Sequence, residues 1–132
     1  MDDAKRIDDA ASVQDQRAGE LERTEYDLVM GLVAEQPGEL SQLRTERRNA
    51  MMVRDWLWYE GALLRWRRGG GKSGTTNGKG DYVPGPDEPT KPNYKTRAGA
   101  WVAPPMLVFE TMDSLELKPV SPRPAPKDGG AE

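Results

Sequence analysis

Apolar positions change period along this chain, and each change marks a different element. Across residues 3–35, Ile7, Ala11, Gln14, Ala18, Leu21, Glu25, Leu28 and Leu32 follow alternating steps of four and three, the spacing of a heptad seam. The seam is poor, with small or polar residues at several positions, until Tyr26, Leu28, Val29, Leu32 and Val33 crowd together. This pattern predicts a helix over 3–35 with a frayed or partner-dependent beginning and a well-packed second half. Asp2, Asp3, Asp8 and Asp9 near its start suit the helix macrodipole, while Gly19 and Gly31 weaken it locally.

Gln36-Pro37-Gly38 then breaks the pattern, since proline and glycine stop one helix and permit a short reversal into the next. Residues 39–68 carry the strongest periodicity in the chain. Met52, Trp56, Tyr59, Leu63 and Trp66 form one stripe, and Val53, Leu57 and Leu64 form a second beside it. Together they cover more of the helix than one neighbour can hide. Helix 1 covers one stripe, and something else must cover the rest. Trp58 faces away from both stripes, among Arg47, Arg54 and Arg65, so it is expected to touch another chain or the returning tail.

Beyond residue 68 helical periodicity stops. Residues 69–80 have the composition of a flexible glycine-rich linker. Ten of the eleven prolines follow Asp81, which favours extended or polyproline-like backbone. Apolar residues nevertheless recur at 100–117, with Trp101, Met106, Leu107, Phe109, Leu115 and Leu117 as the expected anchors. Short strands are expected at about 106–110 and 114–118, and 119–132 as a draped end. The fold class read from the pattern is mainly α: an antiparallel helical hairpin (1–68), a linker (69–80), and a long extended arm rich in proline and glycine (81–132) with minor β content. The hairpin is expected to survive without the arm, whose anchors would dock elsewhere.

Composition narrows the chemistry. There is no cysteine and no histidine, which removes disulfides, thiol nucleophiles, the usual zinc ligands and the commonest general acid–base. The carboxylates are plentiful, but no pair sits in an apolar context that would separate their proton affinities. Gly71-Lys72-Ser73 invites a phosphate-loop reading, but that motif needs a glycine where Trp66 stands and a strand where a helix runs. The sequence therefore predicts no enzyme, no cofactor and no metal. The acidic, polar start is not a secretory signal, and the apolar stretch 98–109 is interrupted by Pro104-Pro105 and too short to span a bilayer. A virion or cytoplasmic location is expected.

Charge changes the picture more. Residues 1–38 hold ten acids and four bases, and residues 39–79 hold four acids and nine bases. Oppositely charged neighbours can neutralise each other, within one chain or between copies. Arg47, Arg54, Arg65, Arg67 and Arg68 are also the candidates for contact with nucleic acid or an acidic partner. Four tryptophans are many for so hydrophilic a chain, and tryptophan is enriched at interface hot spots. The expected protein-interface residues are Trp56, Trp58, Tyr59, Leu63, Trp66, Trp101, Met106, Leu107, Phe109, Leu115 and Leu117. The function read from this is a structural or assembly subunit, partnered by other subunits and by copies of itself. By analogy of architecture its setting is a small virion component (capsid, connector or tail) of a tailed phage. Alternatives are a nucleic-acid-associated protein using the basic face of helix 2, or a small regulator that binds a protein target.

Overall fold

The computed structural model describes residues 2–96, 98–99 and 102–119. Two long helices, α1 (Asp3–Val29) and α2 (Glu39–Arg68), pair as an antiparallel hairpin. A two-stranded antiparallel ribbon follows, β1 (Thr75–Thr76) with β2 (Tyr82–Val83), in the register Thr75 opposite Val83. A third helix, α3 (Met106–Ser114), returns to the hairpin.

α1 begins where Asp2 accepts the Ala4 amide at 3.0 Å, a side-chain N-cap. That amide, with Arg68 behind it, holds the Asp2 carboxyl below the usual carboxylate range. The helix stops at Val29, not at residue 35 as the periodicity suggests. Gly31 takes φ 73°, and Gly31 N–H bonds Leu28 O while Leu32 N–H bonds Asp27 O. This is the Schellman closure, which favours glycine in the left-handed conformation. The apolar residues after Val29 therefore belong to the bend. α2 starts after Gly38 and ends in the same way, with Gly70 at φ 87° and Gly71 N–H on Trp66 O.

The seam of α1 against α2 uses small residues. Ala4, Ile7, Ala11, Ala18 and Leu28 are all buried. Opposite them, a Cβ on Gly61 would stand 2.8 Å from Asp8 Oδ1, so the two backbones approach closely there and side-chain size sets their spacing. The packed part of α1 is its first half, the reverse of the expectation. Antiparallel pairing explains the reversal: the buried residues of α2 lie between Ala50 and Leu63, so they face the start of α1 and not its end.

The second stripe of α2 is covered by the chain itself. α3 contributes Val108 and Met112 to one cluster with Ile7, Ala11, Val53, Trp56 and Leu57, and Leu115 and Leu117 pack against it; Phe109 beside them is fully buried as well. The strands expected at about 106–110 and 114–118 are thus replaced by a helix and its cap. Pro104-Pro105 set the start, since proline suits the entry to a helix. Val108, Phe109 and Met112 then fall on one face at helical spacing. The run was too short for periodicity to separate the two structures. A hairpin cut after Gly70 would leave this cluster open to water, so the arm cannot be read as a separate docking element.

α3 closes as the other helices do, with Glu116 N–H on Asp113 O and Leu117 N–H on Met112 O, but Glu116 occupies the left-handed position at φ 59°. Arg6 Nη2 fixes this turn by donating to Leu115 O at 3.0 Å. Two outcomes follow for thermal and denaturant unfolding. Phe109 is 0% exposed, and Phe109→Ala should lower stability by about 3–5 kcal/mol. Glu116→Gly should raise it by about 1 kcal/mol, since the left-handed strain disappears.

Candidate interaction surface

The charges of the two long helices meet in register. Asp2 and Asp3 pair with Arg68 at 2.8 and 3.2 Å, Asp8 with Arg65 at 2.5 Å, Asp15 with Arg54 at 2.8 Å, and Glu25 with Arg44 and Arg47 at 2.9 and 3.2 Å. Position falls along α1 as it rises along α2, so one ladder runs the length of the hairpin. Surface pairs of this kind add little stability each, but a slip of register would part all of these partners at once. The acidic and basic halves of the sequence thus neutralise each other inside one chain. Of the arginines considered for nucleic acid, Arg47, Arg54, Arg65 and Arg68 are engaged in this ladder.

Past the end of that ladder the hairpin is bare. Tyr26, Val29, Met30, Leu32 and Val33 all stand at least half exposed, Leu32 at 66%. They share the last turn of α1 and the bend that follows. The facing start of α2 is Glu39 to Asn49, with Leu40 and Leu43 half-buried and polar residues between. Too little apolar surface is offered there to cover the bend.

A second surface lies farther along α2. The segment after the ribbon runs back against the helix. Trp66 Nε1 donates to Pro86 O at 2.9 Å, and Tyr94 donates to Asp55 Oδ2 at 2.5 Å while Arg48 stands 5.7 Å over its ring. Burial, with Asp55 adding to it, pushes the Tyr94 phenol up to about 12. Glu88 pins the ribbon by accepting from Gly74 N–H, Gly85 N–H and the Tyr82 hydroxyl at 2.8–2.9 Å. The Gly85 amide is the main cause that keeps its carboxyl below the ordinary range. Between this segment and α2 opens a groove of about 910 Å³, lined among others by Trp56, Tyr59, Tyr82, Glu88, Pro89 and Pro104. Trp56 and Tyr59 meet edge to face at 5.7 Å. The Trp56 Nε1–H is buried with no acceptor among the described residues, a situation that costs about 1–3 kcal/mol.

The interface residues expected from sequence are divided by the structure. Trp56, Leu63 and Phe109 are buried inside the fold, with Leu115 and Leu117 packed against it. Tyr59 lines the groove. Trp66 is half-buried and tied to Pro86. Trp58 remains 42% exposed, with Arg54 stacked 5.1 Å over its ring, and the returning Pro89, Thr90 and Pro92 line a shallow depression with it. Met106 and Leu107 are exposed at the start of α3. Arg67 is exposed near the end of α2, and Trp101 lies outside the described residues. The bend residues, Tyr94 and Glu88 were not among those expected. A comparison of the apolar halves of the two helices would have found the bend; nothing local marks the other two. Glu60 was also missed: it is 1% exposed in the middle of α2. Among the described residues no group of three or more acids is placed to hold a metal ion, and no helix is long and apolar enough to cross a membrane.

The Tyr94 contact gives a pH test. Its folded proton affinity exceeds the ordinary one, so its contribution is whole below about pH 10 and disappears as pH climbs through about 12. Tyr94→Phe should cost about 1 kcal/mol at neutral pH. The stability difference between wild type and variant should shrink over that alkaline window, as read by denaturant titration at each pH. No protein-family model matches the chain, and neither a curated protein nor a solved structure matches it.

Proposed function

We propose that this chain is a non-enzymatic assembly subunit that docks on other protein subunits, and on copies of itself, through the bend of its hairpin. The observation that carries the reading is the run of large apolar side chains at Tyr26, Val29, Met30, Leu32 and Val33, each at least half exposed within eight residues. Isolated apolar residues on a surface are ordinary, but a contiguous patch at the tip of a rigid element is the usual mark of an interface. The rest of the hairpin supports it as a strut. Many of its charges are matched internally and its second apolar face is closed by α3, while the bend keeps five exposed apolar side chains close together in sequence. The setting proposed is a virion of the tailed-phage kind, supported by architecture alone: a short helical hairpin with a long proline-rich continuation. The ion-paired state of Arg47, Arg54, Arg65 and Arg68 favours a protein partner over nucleic acid, which needs unneutralised positive charge.

Leu32→Ser with Val33→Ser tests this. Both side chains are exposed, so folding stability should stay within about 0.5 kcal/mol of wild type. Self-association, read as mass against concentration by light scattering, should fall by at least tenfold in affinity. A wild-type chain that remains monomeric at every concentration, or a variant that associates as well as wild type, would sink the reading.

A further inference from the structure

The turn of the ribbon is organised around one side chain. Asn77 Oδ1 accepts the amides of Lys79 and Asp81 at 2.8 and 3.1 Å. Along the main chain, Asn77 N–H donates to Asp81 O, and Asn77 O accepts from Gly80 N–H. Asparagine followed by glycine suits a hairpin turn, because the asparagine bonds its own backbone and the glycine adds no steric demand. The same pair can also react. The backbone nitrogen of the following residue can attack the side-chain carbonyl carbon of asparagine and close a succinimide ring.

Three features of this turn favour the attack. The oxygen that gathers negative charge as the ring closes is Oδ1, and two N–H donors already hold it at the distances of an oxyanion hole. The attacking nitrogen is unengaged, since among the described residues Gly78 N–H donates no hydrogen bond. Gly78 is also exposed, with no heavy atom within 4 Å of the place a Cβ would occupy, so nothing outside the turn obstructs movement of its nitrogen toward Cγ. The other two asparagines lack this combination. The amide after Asn49 lies inside α2, held in the helical ladder. The nitrogen after Asn93 belongs to Tyr94, whose side chain is tied to Asp55 and Arg48.

We propose that Asn77 is a site of spontaneous modification, at which the folded turn promotes conversion to aspartate and isoaspartate. The Gly78 nitrogen forms a bond to Asn77 Cγ, the bond from Cγ to Nδ2 breaks, and the proton lost by Gly78 leaves with Nδ2 as ammonia. Water then adds to one of the two ring carbonyls and opens the ring, with no change of oxidation state. Opening at Cγ leaves an aspartate, and opening at the main-chain carbonyl leaves an isoaspartate. The aspartate keeps both contacts to Lys79 and Asp81 and strengthens them with its charge. The isoaspartate lengthens the main chain of the turn by one carbon. β1 and β2 have two residues each, too few to take up that change, so the pairing of Thr76 with Tyr82 is lost. Tyr82 and Pro84 line the groove beside α2, and the modification therefore reshapes that wall. None of this involves the bend, so the site stands or falls separately from the docking role proposed above.

The test incubates the full wild-type chain in warm neutral buffer and follows each asparagine by peptide-resolved mass spectrometry. Conversion at Asn77 should outpace that at Asn49 and Asn93 at least tenfold. It should also run several-fold faster than in a synthetic peptide of residues 73–82, which has the same neighbours without the ribbon that Glu88 pins. The isoaspartyl chain, once separated, should show shifted amide signals over residues 75–83 and unchanged signals over α1 and α2. Conversion at Asn77 no faster than at the other two asparagines would overturn the proposal. So would a folded chain that converts no faster than the peptide, or an isoaspartyl chain whose ribbon signals stay in place.

Discussion

Antiparallel pairing of two helices whose apolar residues are unevenly placed determines most of this molecule. α2 keeps its large side chains between Ala50 and Trp66, and the reversal at Gln36-Pro37-Gly38 sets them against the beginning of α1. That beginning can receive them because it offers Ala4, Ala11 and Ala18, small enough for aromatic neighbours to lie close. The opposite end of the pair has no comparable filling. Its apolar residues lie mainly on the α1 side and in the bend, with only Leu40 and Leu43 among polar residues of α2 across from them. A well-packed end and a bare end are two results of one distribution.

The packed end has more apolar surface than two helices can bury. Trp56, Leu57 and Val53 would remain partly wet without α3, and Val108 and Met112 complete that cluster. Because the cluster is shared by the first turns of α1, the middle of α2 and a helix near residue 110, no one segment owns the core. The ion-pair ladder has a different role. It adds little stability, since exposed pairs are screened and cost side-chain entropy, but it rejects sliding of one helix along the other.

The two long helices were legible from sequence because each has many turns over which a period can be counted. The end of α1 was not, since Gly31 reads equally well as a weak interior residue or as a stop. Its left-handed φ of 73° decides the matter, and that is set by the closure it makes. α3 was misread for a related reason: nine residues between a diproline and a polar turn give no clear period. The need for a cover on the second stripe of α2 was visible, but not that the chain would supply it. Tyr94 and Glu88 were beyond reach because their roles depend on partners 39 residues away for Tyr94 and on a ribbon for Glu88. As for the interaction surface, the individual bend residues were noticed, but their exposure follows only from pairing.

The contact between Arg6 and the carbonyl of Leu115 spans 109 positions of chain, and the core cluster spans nearly as many. During synthesis the hairpin can form from local contacts soon after residue 68 has emerged, since helical pairs close quickly. Its aromatic face must then wait for the segment that carries Phe109, several seconds at ordinary elongation rates of about 5–20 residues per second. For that interval the nascent chain carries two uncovered apolar regions, one transient and one permanent. A chaperone that met this chain on the ribosome would find the transient one first, and translation speed between codons 69 and 112 would set how long it stayed on offer.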